Sequence, residues 1–163
     1  MTSFVSVIIP HRNDSERLIL CLNALNKQTY PSDLYEIIVV DNVSTDEQLK
    51  SLKKLMINNF ILLEENKPGS YNARNLGLKN TKGNIIAFTD SDCIPNYDWI
   101  KTGVNYLNKI NNVGIVGGNI ELFYKDNNNL NIVELYEKVF AFSQRKYIDK
   151  LNFSATANLF TSI

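Results

Sequence analysis

One stretch decides the fold of this chain: Ile85-Ile86-Ala87-Phe88-Thr89-Asp90-Ser91-Asp92-Cys93. Its apolar half is typical of a buried strand, and two acids follow that strand directly. Successive strand residues point to opposite faces, so Asp90 and Asp92 point the same way if strand geometry persists through Ser91. Two carboxylates on one side repel each other unless a cation lies between them, and a divalent metal ion with oxygen ligands meets that need. The alternative is that both acids only cap a turn.

The length and the charge balance of the chain point to one globular domain without affinity for nucleic acid. Its 163 residues are 44% hydrophobic and 21% charged, which is enough for a single buried core. The 17 basic residues equal the 17 acidic ones in number, so no net field favours nucleic acid. His11 is the only histidine, and Cys21 and Cys93 form no CxxC pair. This pattern argues against a zinc site and predicts two free thiols in a reducing compartment.

Neither a membrane span nor a secretion signal is visible in the sequence. No run approaches the roughly 18 consecutive apolar residues of a transmembrane helix. The first residues, Met1-Thr2-Ser3, lead straight into a strand pattern without the basic and apolar segments of a signal peptide. These features predict a cytoplasmic protein.

Strands alternate with helices over the first two thirds of the chain. The predicted strands cover residues 4–9, 35–40, 60–63 and 85–89. Pro10 cannot donate to a strand ladder and predicts the end of the first strand. The helices are predicted to begin at Asp14 or Ser15, at one of Ser44, Thr45 or Asp46, at residue 71, and at Asn96 or Asp98. This alternation predicts an α/β protein with a doubly wound, mostly parallel, Rossmann-like sheet.

The pattern changes after Asn112. Two strand segments are predicted, at 113–116 and 119–123, and a final strand-like run begins at residue 154. Between them, residues 130–147 read as one helix whose apolar side chains cover more than one face. A helix with so many apolar side chains is expected to pack against another surface. Core packing is the favoured partner, and the alternatives are an acceptor or a membrane surface.

Polar and charged residues follow several of the predicted parallel strands. The carboxyl ends of such strands meet at one edge, so the loop at Pro10, the side chain of Asp41 and the Asp90/Asp92 pair should line a common crevice. The neighbouring cations are Arg12, Lys67 and Arg74. Together they suit a diphosphate bridged to a metal ion. Purely structural alternatives stay open, because Arg74 could pair with a surface acid and Asp41 could cap the next helix.

Three common enzyme motifs are absent from the sequence. There is no GxGxxG after the first strand, no GxxxxGK[ST] and no G-x-S-x-G. Their absence argues against a dinucleotide dehydrogenase, a P-loop enzyme and a serine hydrolase of the α/β type.

The ordered set of motifs at these strand ends resembles the family 2 glycosyltransferases, which have the GT-A fold. The matching segments are Val5-Ser6-Val7-Ile8-Ile9-Pro10 with Asn13, Ile38-Val39-Val40-Asp41-Asn42 with Ser44 and Asp46, Gly69 with Ala73-Arg74-Asn75 and Gly77, and Phe88-Thr89-Asp90-Ser91-Asp92. A later segment, Ala157-Asn158-Leu159-Phe160, is similar to one that lines the acceptor side in the family. Each motif is weak alone, but the set at these spacings is specific.

The resemblance implies an inverting transferase that moves a sugar from a nucleotide-diphosphate sugar, most often UDP-linked, to a saccharide or lipid-linked acceptor. It implies Mg²⁺ or Mn²⁺ as cofactor, with Asp92 and Asp90 at the metal. It also implies a set of residues around the nucleotide, which are Pro10, Arg12, Asp41, Asn42, Arg74 and Asp90. Peripheral association of the full-length protein with the inner face of the membrane is a further expectation.

Two departures from the family qualify this expectation. Asn42 stands where the family often has another Asp, so the position can donate and accept hydrogen bonds but carries no charge. The family's general base is an acid that lies beyond the segment resembling residues 154–163, and it is therefore expected beyond Ile163. We expect one GT-A-like domain truncated at its carboxyl end, with a nucleotide-binding half at 1–112 and an incomplete acceptor-side half at 113–163. The alternative function is a non-catalytic module of the same fold that binds a nucleotide sugar.

Overall fold

The computed structural model describes residues 3–53, 59–109, 113–124, 126, 128–141 and 143–163. Within these residues the strands are β1 Val5–His11, β2 Tyr35–Asp41, β3 Phe60–Glu64, β4 Ile85–Thr89, β5 Ile115–Gly117 and β6 Asn158–Ser162. The helices are α1 Ser15–Leu25, α2 Asp46–Leu52, α3 Ser70–Lys79, α4 Trp99–Lys109, α5 Ile132–Phe140 and α6 Gln144–Leu151. The predicted alternation of strand and helix is thus present up to α4.

The six strands form one sheet in the order β3-β2-β1-β4-β6-β5. The first four run parallel, with His11 of β1 opposite Asp41 of β2, and Ile8 opposite Phe88 of β4. β6 runs antiparallel to both β4 and β5. The prediction of a mostly parallel sheet is confirmed, and the carboxyl ends of β1, β2 and β4 lie at one edge.

Helices cover both faces of the sheet, as a doubly wound fold requires. One face of β1, formed by Val5, Val7 and Ile9, packs in the main core with the apolar stripes of α1 and α4. The opposite face carries Ile8 and, on β2, Ile38 and Val40, the latter two packed with Ala73 of α3. Because both faces of β1 and β2 are buried, these strands are almost continuously apolar.

The predicted helix faces agree with the structure where they can be compared. α1 begins after Asp14, whose carboxylate accepts a hydrogen bond from the Arg17 N–H, and its buried residues include the predicted stripe of Leu18, Cys21, Leu22 and Leu25. α4 buries the predicted Trp99, Ile100 and Val104. In α2, Leu52 is buried, while the predicted inward residues Leu55 and Met56 lie outside the described residues.

Pro10 does not end β1, contrary to the sequence prediction. The strand continues to His11, and Pro10 lies opposite Val40. The His11 C=O accepts from the Asn42 N–H, so the groups of His11 face β2 and those of Pro10 face β4. The pairing of β1 with β4 stops at Ile8. The missing N–H of Pro10 therefore falls beyond the ladder, where no strand partner requires it.

Three further predictions are wrong beyond residue 113. Residues 119–123 form no strand. The single helix predicted at 130–147 is two helices, α5 and α6, because the chain is extended at Ala141. The favoured docking of this segment in the core fails for α5, none of whose side chains is buried.

Among the described residues, no helix is long and apolar enough to cross a bilayer.

Gly83 provides a test of the packing at the amino ends of β1 and β4. A Cβ on Gly83 would lie 2.6 Å from the Ser6 backbone N and 2.7 Å from the Phe4 backbone O. These are backbone atoms that cannot move aside, so we expect Gly83→Ala to lower the free energy of unfolding by about 1–3 kcal/mol in urea titrations.

Gly114→Ala is the matched control, because its Cβ would meet nothing within 4 Å. This substitution should leave the stability unchanged or raise it by up to about 1 kcal/mol. Equal free energies of unfolding for the two variants would show that the close approach at Gly83 is wrong.

Candidate functional site

The acids after β4 lie in a turn and not on an extended strand. β4 ends at Thr89, and the Cys93 N–H donates to the Asp90 C=O at 3.1 Å, which closes the turn. The condition that strand geometry persists through Ser91 is therefore not met. The two carboxylates face different arginines. Asp90 contacts Arg74, and Asp92 lies near Arg17.

Arg74 reaches Asp90 from α3. Its Nη2 lies 2.5 Å from Asp90 Oδ1, and both side chains are mostly buried. The Nε of the same guanidinium is buried and has no hydrogen-bond partner among the described residues. A buried N–H without an acceptor costs about 1–3 kcal/mol, so an oxygen atom supplied by a ligand would stabilise this arrangement. Arg74 was predicted at this site, and its pairing with Asp90 holds both groups at the edge.

Asp92 is the accessible acid of the pair, with a side chain that is 52% exposed. Its Oδ2 lies 3.7 Å from Arg17 Nη1, too far for a hydrogen bond. Arg17 forms a shorter contact with Asp14, whose Oδ2 lies 2.7 Å from Arg17 Nε. The carboxylate of Asp92 therefore keeps lone pairs that can bind a ligand or a metal ion.

His11 and Asp41 form a buried pair at the ends of β1 and β2. His11 Nδ1 lies 3.1 Å from Asp41 Oδ1, and both side chains are almost fully buried. The Asp14 N–H donates to His11 Nε2 at 3.1 Å. Since Nε2 accepts, the ring proton belongs on Nδ1, where it is donated to Asp41. The other Asp41 oxygen accepts from the Ser44 N–H at 3.1 Å. The Asp41 carboxylate thus has protein partners on both oxygens.

Asn42 holds the loop that leads to α3. Its side-chain NH₂ donates to the backbone oxygens of Glu65 and Lys67, at 3.0 and 2.8 Å. Its side-chain oxygen accepts from the Gly69 N–H at 2.7 Å. A carboxylate has no N–H and could not make the first two contacts, which explains why an amide suits this position.

A cavity of about 990 Å³ opens beside the β4 turn. Its lining includes Asp90, Asp92, Cys93, Tyr97, Trp99, Asn119, Glu121, Phe123, Glu137 and Asn158. Asn158 joins two parts of its wall, since its side-chain oxygen accepts from the Trp99 indole N–H and its NH₂ donates to the Asn119 C=O, both at 2.8 Å. Aromatic faces beside amides and carboxylates can bind a polar ring with apolar faces.

Burial raises the pKa of both cysteine thiols near this cavity. Burial is the main cause at Cys21, and the neighbouring Cys93, Asp92 and Asp90 raise the pKa further. Cys93 lies next to the turn, and burial is again the largest cause of its raised pKa. Both thiols are free, as predicted, and their raised pKa favours the thiol over the more nucleophilic thiolate.

The structure brings together most of the predicted site residues and adds others. Pro10, Asp41, Asn42, Arg74, Asp90 and Asp92 all lie at the carboxyl edge, and Arg12 is exposed in the loop after β1. Sequence reasoning missed His11 as a partner of Asp41, Arg17 as a neighbour of Asp92, and Glu137 as a cavity residue. The position of the single histidine, two residues after the predicted first strand, was the one signal that could have found His11.

The sheet, with its acids and arginines at the carboxyl edge, places this protein among the doubly wound α/β proteins, whose ligands bind at that edge. More closely, the chain belongs to glycosyltransferase family 2. The profile for Glycosyl transferase family 2 matches residues 6–161. Glycosyltransferase AglE of Haloferax volcanii is 41% identical over 160 residues, which are 96% of this chain and 52% of AglE. The chain therefore spans about half the length of this relative.

Solved structures agree with this assignment. Mannosyltransferase PcManGT from Pyrobaculum calidifontis, in complex with GDP-Man and Mn²⁺, has a TM-score of 0.75 over 99% of this chain and 45% of that chain, at 23% identity. TarS 1-349 of Staphylococcus aureus, in complex with UDP-GlcNAc, has a TM-score of 0.57 over 65% of this chain and 31% of that chain, at 31% identity. The predicted GT-A fold is confirmed by these likenesses.

The ring of His11 can be tested directly because it is the only histidine in the chain. We expect long-range ¹H–¹⁵N correlation NMR at neutral pH to find the proton on Nδ1, since Nε2 accepts the Asp14 N–H. In Asp41→Ala the Nδ1 proton loses its acceptor, and the preference for this tautomer should weaken. A proton on Nε2 in the unchanged protein would contradict the pairing described here.

Proposed function

We propose that this protein is an inverting glycosyltransferase that uses a nucleotide-diphosphate sugar, UDP-linked by preference. The observation that carries the proposal is the Arg74–Asp90 pair, with a buried and unpartnered guanidinium N–H, beside an exposed Asp92 and a large cavity. Such a site offers cationic donors to a diphosphate and room for a sugar. The complex of TarS with UDP-GlcNAc supports a uridine nucleotide as the first choice.

We assign the nucleotide to the crevice at the ends of β1, β2 and β4. Pro10 and Arg12 belong to its β1 side, Arg74 and Asp90 bind the ribose and phosphate portion, and Asp41 contributes to recognition of the base. Each oxygen of Asp41 already accepts one hydrogen bond and can accept another, because a carboxylate has about four lone-pair sites. Asn42 acts by holding the loop at residues 65–69, where its amide binds three backbone groups.

Asp92, together with Asp90, fits a divalent cation, Mg²⁺ or Mn²⁺. Carboxylate oxygens are the ligands that both ions prefer, and Asp92 has lone pairs available. No cluster of three or more His, Cys, Asp or Glu side chains suitable for a metal occurs in the described part of the chain. The remaining ligands would therefore come from the diphosphate and water. When bound, such an ion stabilises the negative charge that develops on the leaving diphosphate.

The cavity beside the turn suits the transferred sugar and the acceptor. In inversion, the acceptor oxygen bonds to the anomeric carbon as the bond to the diphosphate oxygen breaks, and a general base takes the hydroxyl proton. Glu121 and Glu137 line the cavity, whereas Glu134 is occupied in the cap of α5, where its carboxylate accepts from the Asn131 N–H. We propose that the efficient base lies beyond residue 163. We also propose that the reaction occurs in the cytoplasm.

Metal dependence tests the role of Asp92. In the unchanged protein, we expect UDP to raise the unfolding temperature substantially only with Mn²⁺, since a ligand at 100 times its Kd adds about 2.7 kcal/mol of stability. Asp92→Asn should weaken binding in Mn²⁺ by about ten- to a hundredfold, because a contact to a charged group is lost. Calorimetry with and without Mn²⁺ measures both quantities.

Asp33→Asn is the control for this experiment. Asp33 lines a separate, smaller cavity that it shares with Tyr35 and Glu36, at the amino end of β2. Its substitution should leave UDP binding and the Mn²⁺ effect unchanged. Equal affinity for UDP with and without metal in the unchanged protein would overturn the proposed metal site.

Sugar transfer separates the proposed enzyme from a module that only binds. We expect the 163-residue chain to bind donor but to transfer sugar inefficiently, because general-base help is typically worth about 10²–10⁴-fold. Slow hydrolysis of the donor by water should remain measurable by chromatography of the released UDP. Efficient transfer to a defined acceptor would instead place the base within the chain, and Glu121→Gln and Glu137→Gln would then identify it.

A further inference from the structure

The helix α5 exposes its apolar face to solvent, and none of its residues is buried. The α5 apolar face consists of Ile132, Val133, Leu135, Tyr136, Val139 and Phe140. At 100° per residue these positions fall within an arc of about 160°, and the remaining arc carries Glu134, Glu137 and Lys138. All six apolar side chains are exposed, from 49% at Leu135 to 84% at Ile132. In an ordinary soluble domain, the apolar face of a surface helix is packed against the core.

Local interactions explain how α5 forms without burial in the core. Asn131 caps the helix, and its side-chain oxygen accepts from the N–H groups of Val133 and Glu134. The Glu134 carboxylate accepts in return from the Asn131 N–H, which completes a capping box. Glu137 on the polar side lines the cavity beside the β4 turn. Among the described residues, Glu137 is the α5 residue that lines the cavity, and the six side chains of the α5 apolar face are left exposed.

The next helix, α6, exposes a basic surface. Arg145, Lys146 and Lys150 are exposed, and Asp149 is the single acid of this helix. Arg145 Nε lies 3.5 Å from Asp149 Oδ2, but both side chains remain largely in solvent and such a pair is weak. Three cations against one anion leave α6 with a net charge of +2. Exposed apolar residues followed by exposed cations match the composition of a helix pair at an anionic lipid surface.

We propose that the α5 apolar face inserts into the interfacial layer of an anionic lipid bilayer, with the basic residues of α6 against the lipid headgroups. The net positive charge of α6 is complementary to anionic headgroups, and the exposed apolar face of α5 suits the boundary between the headgroups and the acyl chains. With nine residues, α5 is about 14 Å long, well short of the roughly 30 Å of a bilayer core. It therefore lies in the plane of the interface and does not cross the membrane.

Binding of the α5 apolar face to a bilayer would place a lipid-linked acceptor near the cavity assigned to the sugar. The inference rests on the proposed glycosyl transfer, since the helix that carries the α5 apolar face also carries Glu137, which lines the cavity assigned to the sugar. A saccharide in the cavity could then keep its lipid tail in the bilayer. The lipid contact itself requires neither nucleotide nor metal, so its failure and a failure of donor binding are separate results.

Vesicle binding tests the proposal. The 163-residue chain is floated with vesicles of phosphatidylcholine, with and without phosphatidylglycerol, in the absence of nucleotide. We expect binding to both, and stronger binding to the anionic vesicles. Leu135→Glu should lower the partition coefficient about tenfold or more, because it replaces a leucine that would be buried in the interface by a charge. Lys146→Ala should lower binding about fivefold to anionic vesicles only.

Matched controls come from other helices. Leu20 on α1 is 53% exposed, close to the 49% of Leu135, so Leu20→Glu introduces the same charge in place of a leucine with similar exposure. Lys101→Ala removes an exposed cation from α4. Neither control should change vesicle binding. Circular dichroism and urea unfolding should match the unchanged protein for all four variants, since none of these side chains is buried.

Two outcomes overturn the proposal. The first is an absence of vesicle binding by the unchanged chain, or binding that Leu135→Glu and Leu20→Glu reduce equally. The second is concentration-dependent dimerisation in analytical ultracentrifugation that Leu135→Glu abolishes, which would assign the α5 apolar face to a second copy of the chain.

Discussion

The parallel ladder that β1 forms with β2 and β4 is the interaction on which the rest of the structure depends. Every residue of β1 is buried, and its register sets Ile8 opposite both Ile38 and Phe88. Because side chains alternate between faces, a slip of one residue would exchange the residues facing α1 with those facing α3. The same register places the ends of the three strands at one edge. His11 and Asp41, the last residues of β1 and β2, and Asp90, which follows β4, lie at this edge for this reason.

Contacts among side chains convert this edge into one connected site. His11 binds the Asp41 carboxylate with one ring nitrogen and the Asp14 backbone with the other. Asp14 in turn pairs with Arg17, whose Nη1 lies 3.7 Å from Asp92 Oδ2. The path therefore joins the loop after β2 to the turn after β4 through the start of α1. Separately, Arg74 neutralises Asp90, which removes much of the repulsion between the two acids of the turn.

The candidate site was predictable in its residue types more than in its contacts. Motif order placed acids and arginines at the carboxyl edge, because parallel strands share that edge whatever their side chains do. The partner of each group depends on atoms far apart in the sequence, such as Arg74 and Asp90 or His11 and Asp41. The prediction that Asp90 and Asp92 point the same way required the strand to continue through Ser91, and the turn closed by Cys93 removes that condition.

The sequence by itself determined the strand and helix alternation up to α4, the buried faces of α1 and α4, and the family to which the chain belongs, since hydrophobic periodicity and local motifs carry this information. Tertiary structure alone decided three things. Pro10 remains in β1 because β4 is too short to need its N–H. The segment 130–147, predicted as one helix, forms the two helices α5 and α6. The third is the exposure of the α5 apolar face, which the sequence could not predict because periodicity reports that a helix is amphipathic but not whether its apolar face is covered.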